Sequence, residues 1–250
     1  MRAIDHYAWT NRWRDRHPAE KLLPAGGLLV LTLLLPPLTT GPLVLVGTAL
    51  ATVGGAGVPL RAFLAMLAAP AAFLLAGAPF LAMSISFADG FDLHFPAEGA
   101  RLALSTTVRA LAAVSCLTFL TLTTPLVDWV PLLRRAGIPA SVIELILLMY
   151  RLIFVFAERA LTGRRAQAAR LGYARFDRGV RSAGLLAGNL FQRALAQARR
   201  LEIGLAARGY TGELRVLRPE QPLSWPRLAA GAALVGLIGL LGGLLARGWP

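Results

Sequence analysis

The chain has 250 residues, is 56% hydrophobic and carries a formal net charge of +13. Soluble domains are about 45–50% apolar. The excess here falls in long runs, so the chain is read as a membrane protein. Cys116 is the only cysteine and lies inside an apolar run, which excludes a disulfide framework and a thiolate metal site. Lys21 is the only lysine; the other 25 basic residues are arginine, whose planar fork suits carboxylate partners.

In chain order, residues 1–21 form a polar lead with Arg2, Arg12, Arg14, Arg16 and Lys21. Trp9 and Trp13 within it suit a membrane–water interface. The apolar run that follows has no small-residue cleavage site, so it is expected to be a retained helix, not a signal peptide. Residues 22–38 make the first span, tailing into Pro36-Pro37, and residues 42–58 the second, closing on Gly54-Gly55-Ala56-Gly57. Residues 62–83 make the third, with Pro70 and Pro79 expected to kink it. Residues 84–99 read as a loop carrying Asp89, Asp92, His94 and Glu98 and no basic residue. Residues 102–124 are the fourth span and 228–246 the last. Each is about 17–23 residues, close to what a bilayer requires.

Between the fourth and last spans the composition changes. Sixteen arginines lie between Arg134 and Arg218, against seven acids between Asp128 and Glu220. Cationic flanks stay in the cytoplasm, so the N-terminus and residues 125–225 are expected inside, and the acidic loop and C-terminus outside. Residues 125–137 read as a short amphipathic helix ending at Gly137. Residues 140–156 are apolar enough to span but carry Glu144 and Arg151. A crossing there would turn the arginine-rich region outward, so the segment is expected to lie on or partly in the membrane. Glu144 and Arg151, seven apart, share a face and are candidates to pair with each other or with a partner. The expected organisation is a lead and four spans over 1–124, a cytoplasmic helical region over 125–225 with 140–157 membrane-lying or embedded, and a last span over 226–250. The fold class is all-α integral membrane, with about five transmembrane helices plus amphipathic cytoplasmic helices.

The arginine-rich region repeats a phrase. Ala168-Ala169-Arg170-Leu171-Gly172-Tyr173 is echoed by Ala206-Ala207-Arg208-Gly209-Tyr210. Each closes a segment with helical periodicity; before the second, Leu190, Ala194, Ala198, Leu201 and Leu205 recur at helical spacing. Gly172 and Gly209 are expected to take the left-handed conformation that ends a helix, leaving Arg170 and Arg208 in last turns, where cations favour the dipole. One such arginine is an ordinary helix-end cation. Two matching phrases on one polar segment, in a chain otherwise built for lipid, read as two docking points for a partner.

Other chemistry is missing from the sequence. There is no P-loop, no HExxH and no GxSxG pattern. His6, His17 and His94 are far apart, and His94 with Asp89 and Asp92 is read as a solvated loop because no ligand spacing recurs. Arg109, two turns into the fourth span, either snorkels to the interface or contacts another membrane subunit. No cofactor is expected. A membrane-bound enzyme would need an acid, base or metal cluster near the interface. A nucleic-acid partner would need stacking aromatics, and Tyr173, Phe176 and Tyr210 are too few. A transport scaffold accounts for both the paired arginines and the missing chemistry; a membrane-bound enzyme at the cytoplasmic interface is the alternative.

These residues resemble the transmembrane T component of energy-coupling factor (ECF) transporters, in the CbiQ-type branch that accompanies cobalt or nickel uptake. The resemblance covers nearly the whole chain. Its most specific parts are Ala169-Arg170-Leu171-Gly172 and Ala207-Arg208-Gly209 with the spacing between them. The lead segments Asp5-His6-Tyr7-Ala8-Trp9-Thr10-Asn11-Arg12-Trp13 and His17-Pro18-Ala19-Glu20-Lys21-Leu22 add to it. The first motif departs from Ala-Arg-Gly by an inserted Leu171. The resemblance implies two coupling helices in the cytoplasm whose ends dock in two ATP-binding cassette ATPase subunits, with Arg170 and Arg208 meeting acidic residues there. It also implies a separate membrane subunit that captures the metal, and residence in a bacterial cytoplasmic membrane.

Overall fold

A computed structural model describes residues 2–86, 92–94, 96–210 and 222–247. The fold is helical apart from one minimal hairpin. Asp89 and the charged residues Glu213, Arg215, Arg218 and Glu220 fall outside the described residues. The chain divides into two compact units, Met1–Trp129 with Pro219–Pro250, and Val130–Arg218.

The first unit opens with α1 (Arg2–Thr10) and α2 (Pro18–Leu34). Pro18 occupies the first helical turn of α2, where its missing N–H costs nothing, and His17 caps it by accepting a hydrogen bond at Nδ1 from the Ala19 N–H (3.1 Å). The Pro36-Pro37 pair separates α2 from α3 (Pro37–Ala49), because the residue before a proline avoids the helical region. The two spans expected over 22–38 and 42–58 are therefore helices with earlier starts and ends. α3 runs on into one π-helical turn, Leu50–Gly55. Gly55 in that turn lies against the Trp13 ring, where a Cβ would collide, and Gly57 follows with φ +74°. The glycine patch thus both closes the span and receives a side chain of the lead.

Next come α4 (Leu60–Ala82), continuous through Pro70 and Pro79, and two three-residue strands, β1 (Ser84–Ser86) and β2 (Asp92–His94). The strands pair antiparallel, with Ile85 opposite Leu93. α5 (Ala97–Thr123) is the longest helix of this unit, and α9 (Trp225–Arg247) completes it.

α5 is the hub against which α1, α2, α3 and α4 pack. Leu28, Val44, Ala112, Cys116 and Ile238 form one core cluster, and Ala56, Val58, Phe63, Leu67 and Leu122 a second. Small polar residues fill the seams between helices. Thr32, Thr48 and Thr52 are buried and return their hydroxyls to the carbonyls of Leu28, Val44 and Thr48 at 2.6–2.8 Å. Thr48 also donates to Ser115 Oγ across the α3–α5 interface (3.0 Å). In hydrocarbon, where apolar burial drives little association, small residues and interhelical hydrogen bonds hold helices together. Outward faces carry exposed Leu34, Phe73 and Phe80, as a lipid-facing surface requires.

Among the described residues, five helices are long and apolar enough to cross a membrane: Pro37–Gly55, Leu60–Ala82, Ala97–Thr123, Ala140–Ala169 and Trp225–Ala246. The protein is a multi-pass membrane protein. This set includes the helix over residues 140–156, which the sequence reading put on or partly in the membrane, and does not include the 17-residue α2.

In the second unit a 3₁₀ turn (Leu126–Trp129) of the preceding unit gives way to α6 (Val130–Arg135), and Gly137 takes φ +78° to end it. Two long helices follow, α7 (Ala140–Ala169) and α8 (Phe176–Ala206). They pack as a hairpin in which Gly163 admits Leu186, whose Cδ1 would stand 2.6 Å from a Cβ at that position. α8 has no buried residue along its 31 positions. Packing on α7 leaves Val180, Leu185, Phe191, Leu195 and Ile203 exposed along it, an apolar surface that suits a partner or a membrane face.

Candidate functional site

The two arginine phrases occupy the two ends of α8. The first is the connection from α7 into α8; the second is where α8 stops. Both are built as the same turn. In the first, the Leu171 N–H donates to Ala168 O (3.0 Å) and the Gly172 N–H to Gln167 O (2.9 Å). In the second, the Gly209 N–H donates to Ala206 O (3.1 Å) and the Tyr210 N–H to Leu205 O (3.0 Å). This is the paired-bond Schellman closure, which requires one residue in the left-handed region. Gly209 supplies it at φ +71°, and Leu171 at φ +58°.

The expectation for Gly172 is therefore corrected. Leu171, not Gly172, takes the left-handed conformation. Gly172 stands one place further on, at the position of Tyr210, and it is glycine for space. A Cβ there would lie 2.8 Å from Ser182 Oγ and 2.9 Å from Gln167 O. Seen this way Leu171 is no insertion. Ala169-Arg170-Leu171 and Ala207-Arg208-Gly209 superpose in role, and each arginine immediately precedes the left-handed residue. Leucine in that conformation costs about 1–2 kcal/mol, from the clash of Cβ with the following carbonyl.

The first turn is held by side chains. Ser182 Oγ donates to Gly172 O (2.9 Å), Gln167 Nε2 donates to Ser182 O (3.1 Å), and Tyr173 Oη donates to Gln167 Oε1 (2.8 Å). The Arg164 guanidinium lies 6.0 Å from the Tyr173 ring centre. With the backbone pinned, Arg170 and Leu171 both project outward, Leu171 at 67% exposure. Ala169 and Ala207, also exposed, put only a methyl group beside each arginine. A partner can therefore approach both helix ends closely.

The second turn is anchored differently. Tyr210 Oη donates to Glu144 Oε2 on α7 (2.6 Å), which gives the buried Glu144 a partner the sequence did not indicate. Beside it, Arg151 of α7, Arg200 of α8 and Arg208 in the turn that closes α8 line a groove of about 610 Å³, floored by Leu148, Leu201 and Leu205. Among the described residues, its lining contains no carboxylate. Three guanidiniums over an apolar floor suit an acidic segment with an apolar anchor. Arg200 and Arg208, eight apart, could have been placed on neighbouring faces from sequence; the addition of Arg151 needs the pairing of α7 with α8. Arg109 is exposed on α5.

A 31-residue helix separates the two turns, about 45 Å at 1.5 Å per residue. One groove on one small partner domain cannot reach both. The two turns are alike in backbone and lie at opposite ends of the same helix.

Among the described residues no group of three or more His, Cys, Asp or Glu is placed to hold a metal ion. The sequence profile of the CbiQ cobalt transport proteins matches residues 10–219. The chain is 42% identical over 238 residues to the cobalt transport protein CbiQ of Rhodobacter capsulatus, covering 94% of this chain and 93% of the relative. It is 29% identical over 226 residues to CbiQ of Salmonella typhimurium, covering 86% of this chain and all of that protein. A third relative, the putative fused cobalt transport protein CbiMQ of Methanocorpusculum labreanum, is 34% identical over 154 residues, which are 61% of this chain and 25% of the fusion.

Proposed function

Since the chain belongs to the CbiQ family of cobalt transport proteins, we propose that it is the membrane scaffold of an ATP-driven ECF-type importer for a transition-metal ion. Cobalt is preferred over nickel because the relatives from Rhodobacter capsulatus and Salmonella typhimurium are named for cobalt transport. The chain is a non-catalytic subunit. Two cassette ATPases dock at the ends of α8, and a separate membrane subunit captures the metal, which is cargo and not a resident cofactor. The fused relative, whose name joins a second component to CbiQ, supports an assembly with another cobalt transport component.

The observation that carries this reading is the repeated turn at both ends of one long helix, each presenting an exposed arginine. Residues 169–172 and 207–209 are the coupling residues, Arg170 and Arg208 the ionic contacts, and Leu171 an apolar contact beside the first. ATP-driven movement of the two ATPases acts on two points about 45 Å apart along one rigid rod. That arrangement gives leverage on whatever packs along the exposed stripe of α8. The arginine-rich unit faces the cytoplasm with the N-terminus, in a bacterial inner membrane.

The test is co-purification with the cassette ATPases, together with metal uptake, for Arg170→Ala, Arg208→Ala, Arg175→Ala and Arg178→Ala. A charge-assisted contact is worth about 1.5–3 kcal/mol, so each of the first two variants lowers ATPase affinity roughly 10- to 150-fold, and together they abolish uptake. Arg→Lys restores part of it, since lysine keeps the charge and loses the fork. Equal losses at all four positions reduce the region to a generic basic surface. Full retention at Arg170 and Arg208 removes the docking assignment.

A further inference from the structure

The first unit contains a cleft of about 250 Å³ between α2, the α3 turn, α5 and α9, at the end of the bundle where the polar lead meets the apolar helices. Its inner wall is Leu28, Phe119 and Leu234, and its rim carries Arg16, Glu20 and Arg227. An apolar cavity of about 150 Å³ already accepts a benzene-sized hydrocarbon and stays dry. The inner wall is therefore a place for hydrocarbon, not for an aqueous ion.

The rim has more positive charge than it neutralises. Glu20 Oε1 is occupied by the Ser224 N–H (2.8 Å). Its buried Oε2 has no hydrogen bond among the described residues and stands 3.8 Å from Arg227 Nη1. Arg16 stacks over the Trp13 ring at 4.2 Å. Its guanidinium is held below its ordinary pKa, first by burial and then by the nearby Arg227 charge, with Glu20 only partly offsetting them. Among the described residues that line it, two guanidiniums thus converge on a space served by one carboxylate. Trp13 at the rim and Trp225, 76% exposed at the start of α9, are the residues that settle at headgroup depth.

We propose that this cleft binds one anionic phospholipid, its phosphate bridged by Arg16 and Arg227 and the upper part of an acyl chain lying against Leu28, Phe119 and Leu234. A free phosphate would leave the apolar wall empty. A zwitterionic lipid would bring its cation toward two guanidiniums, a like-charge contact that selects against it. The lipid ties the lead to the first residues of α9, and so bridges the two ends of the unit.

The experiment uses the full-length chain in detergent, with lipid binding followed by native mass spectrometry and thermal unfolding. Phosphatidylglycerol, phosphatidylcholine with the same chains, and inorganic phosphate are compared. Phosphatidylglycerol is expected to bind one per chain and at least about tenfold tighter than phosphatidylcholine, the scale of one charge-assisted contact. Arg16→Gln and Arg227→Gln each bring its affinity down to that of phosphatidylcholine. Ala230→Phe, which fills the slot and leaves the rim intact, weakens both lipids. A photoactivatable phosphatidylglycerol labels residues of the slot in the unsubstituted protein, a readout that needs no variant to fold. Equal binding of the two lipids, undiminished binding in both arginine variants, labelling elsewhere, or equal stabilisation by phosphate alone would each overturn the proposal.

Discussion

The left-handed leucine gives the sharpest test of what the first turn is for. Leu171→Gly removes an αL cost of about 1–2 kcal/mol. It adds back the entropy of an extra glycine, about 0.5–1 kcal/mol. One third of the leucine is buried, so its loss costs another 0.5–1 kcal/mol or so on a scale of about 1.5–3 kcal/mol for a full leucine. The three terms nearly cancel, and the α7–α8 hairpin should keep its stability to within about 1 kcal/mol. Leucine therefore brings the fold nothing that glycine would not. If its exposed two thirds is what a docked ATPase covers, the substitution lowers docking affinity by about 1–2 kcal/mol, or roughly 5- to 30-fold. The assay pairs ATPase affinity with native-state trypsin cleavage in the segment from Arg170 to Arg178, where the cleaved fraction reports local opening. Unchanged docking would refute the contact role. A large rise in hairpin stability would show that the left-handed backbone at Leu171 costs more than about 2 kcal/mol and that Leu171 is a structural compromise.

Gly172→Ala should destabilise the same turn by about 1–3 kcal/mol, because the new methyl meets a backbone carbonyl and Ser182 within 3 Å; the trypsin assay reads it directly, and Gly209→Ala, with open space around it, should differ by carrying backbone strain alone. Arg14 Nη1 and Asp128 Oδ2 form a 2.6 Å ion pair with Asp128 only 4% exposed, so Arg14→Ala removes a charge-assisted contact from a buried carboxylate and should cost about 1.5–3 kcal/mol, seen as a lower unfolding temperature with Arg12→Ala, an exposed neighbour, as the control. For topology, a reporter after Pro250 should read external and one at Asp177 cytoplasmic; a cytoplasmic C-terminus would mean that α7 crosses the membrane or that another helix does not.

Much of the membrane unit was legible because lipid imposes long apolar runs and prolines mark their breaks. Pro36-Pro37 placed the α2–α3 boundary to within a few residues, and the Gly54–Gly57 patch marked the end of the second span. The helix through residue 140 was harder. Its apolar stretch stops at Phe156 but hydrogen bonding continues to Ala169, because Ala157, Glu158, Arg159, Ala160 and Leu161 are good helix formers whatever their polarity. The arginine repeat was visible as a phrase, and its two helix ends were found where the phrases lie. The residue carrying positive φ in the first was not, since nothing local distinguishes a leucine held left-handed by its surroundings from one in an ordinary turn. Arg151's place beside Arg208 and the Glu144–Tyr210 bond depend on how α7 meets α8, separations of more than fifty residues that periodicity does not encode. The same holds for the lead. Asn11 and Lys21 donate to the last carbonyls of α5, Lys21 Nζ to Thr123 O at 2.9 Å, and no local pattern announces a partner over a hundred residues away.

That lead, together with the packing of α2 on α9, sets an order on biogenesis. α2 leaves the ribosome among the first helices, while α9 is among the last. At about 5–20 residues per second, roughly 10–40 s pass between them. Over that interval Glu20 has neither Ser224 nor Arg227 to face, Gly27 lacks the Val235 side chain that packs over it, and Lys21 waits about half of that time for the end of α5. The early helices must be held by an insertase or by lipid until synthesis of the whole arginine-rich unit is complete. Chains stalled or truncated before residue 225 would expose an unsealed seam in the bilayer, a natural mark for membrane proteases. A partner that bound α7 and α8 during synthesis would therefore engage a protein whose membrane half is still open.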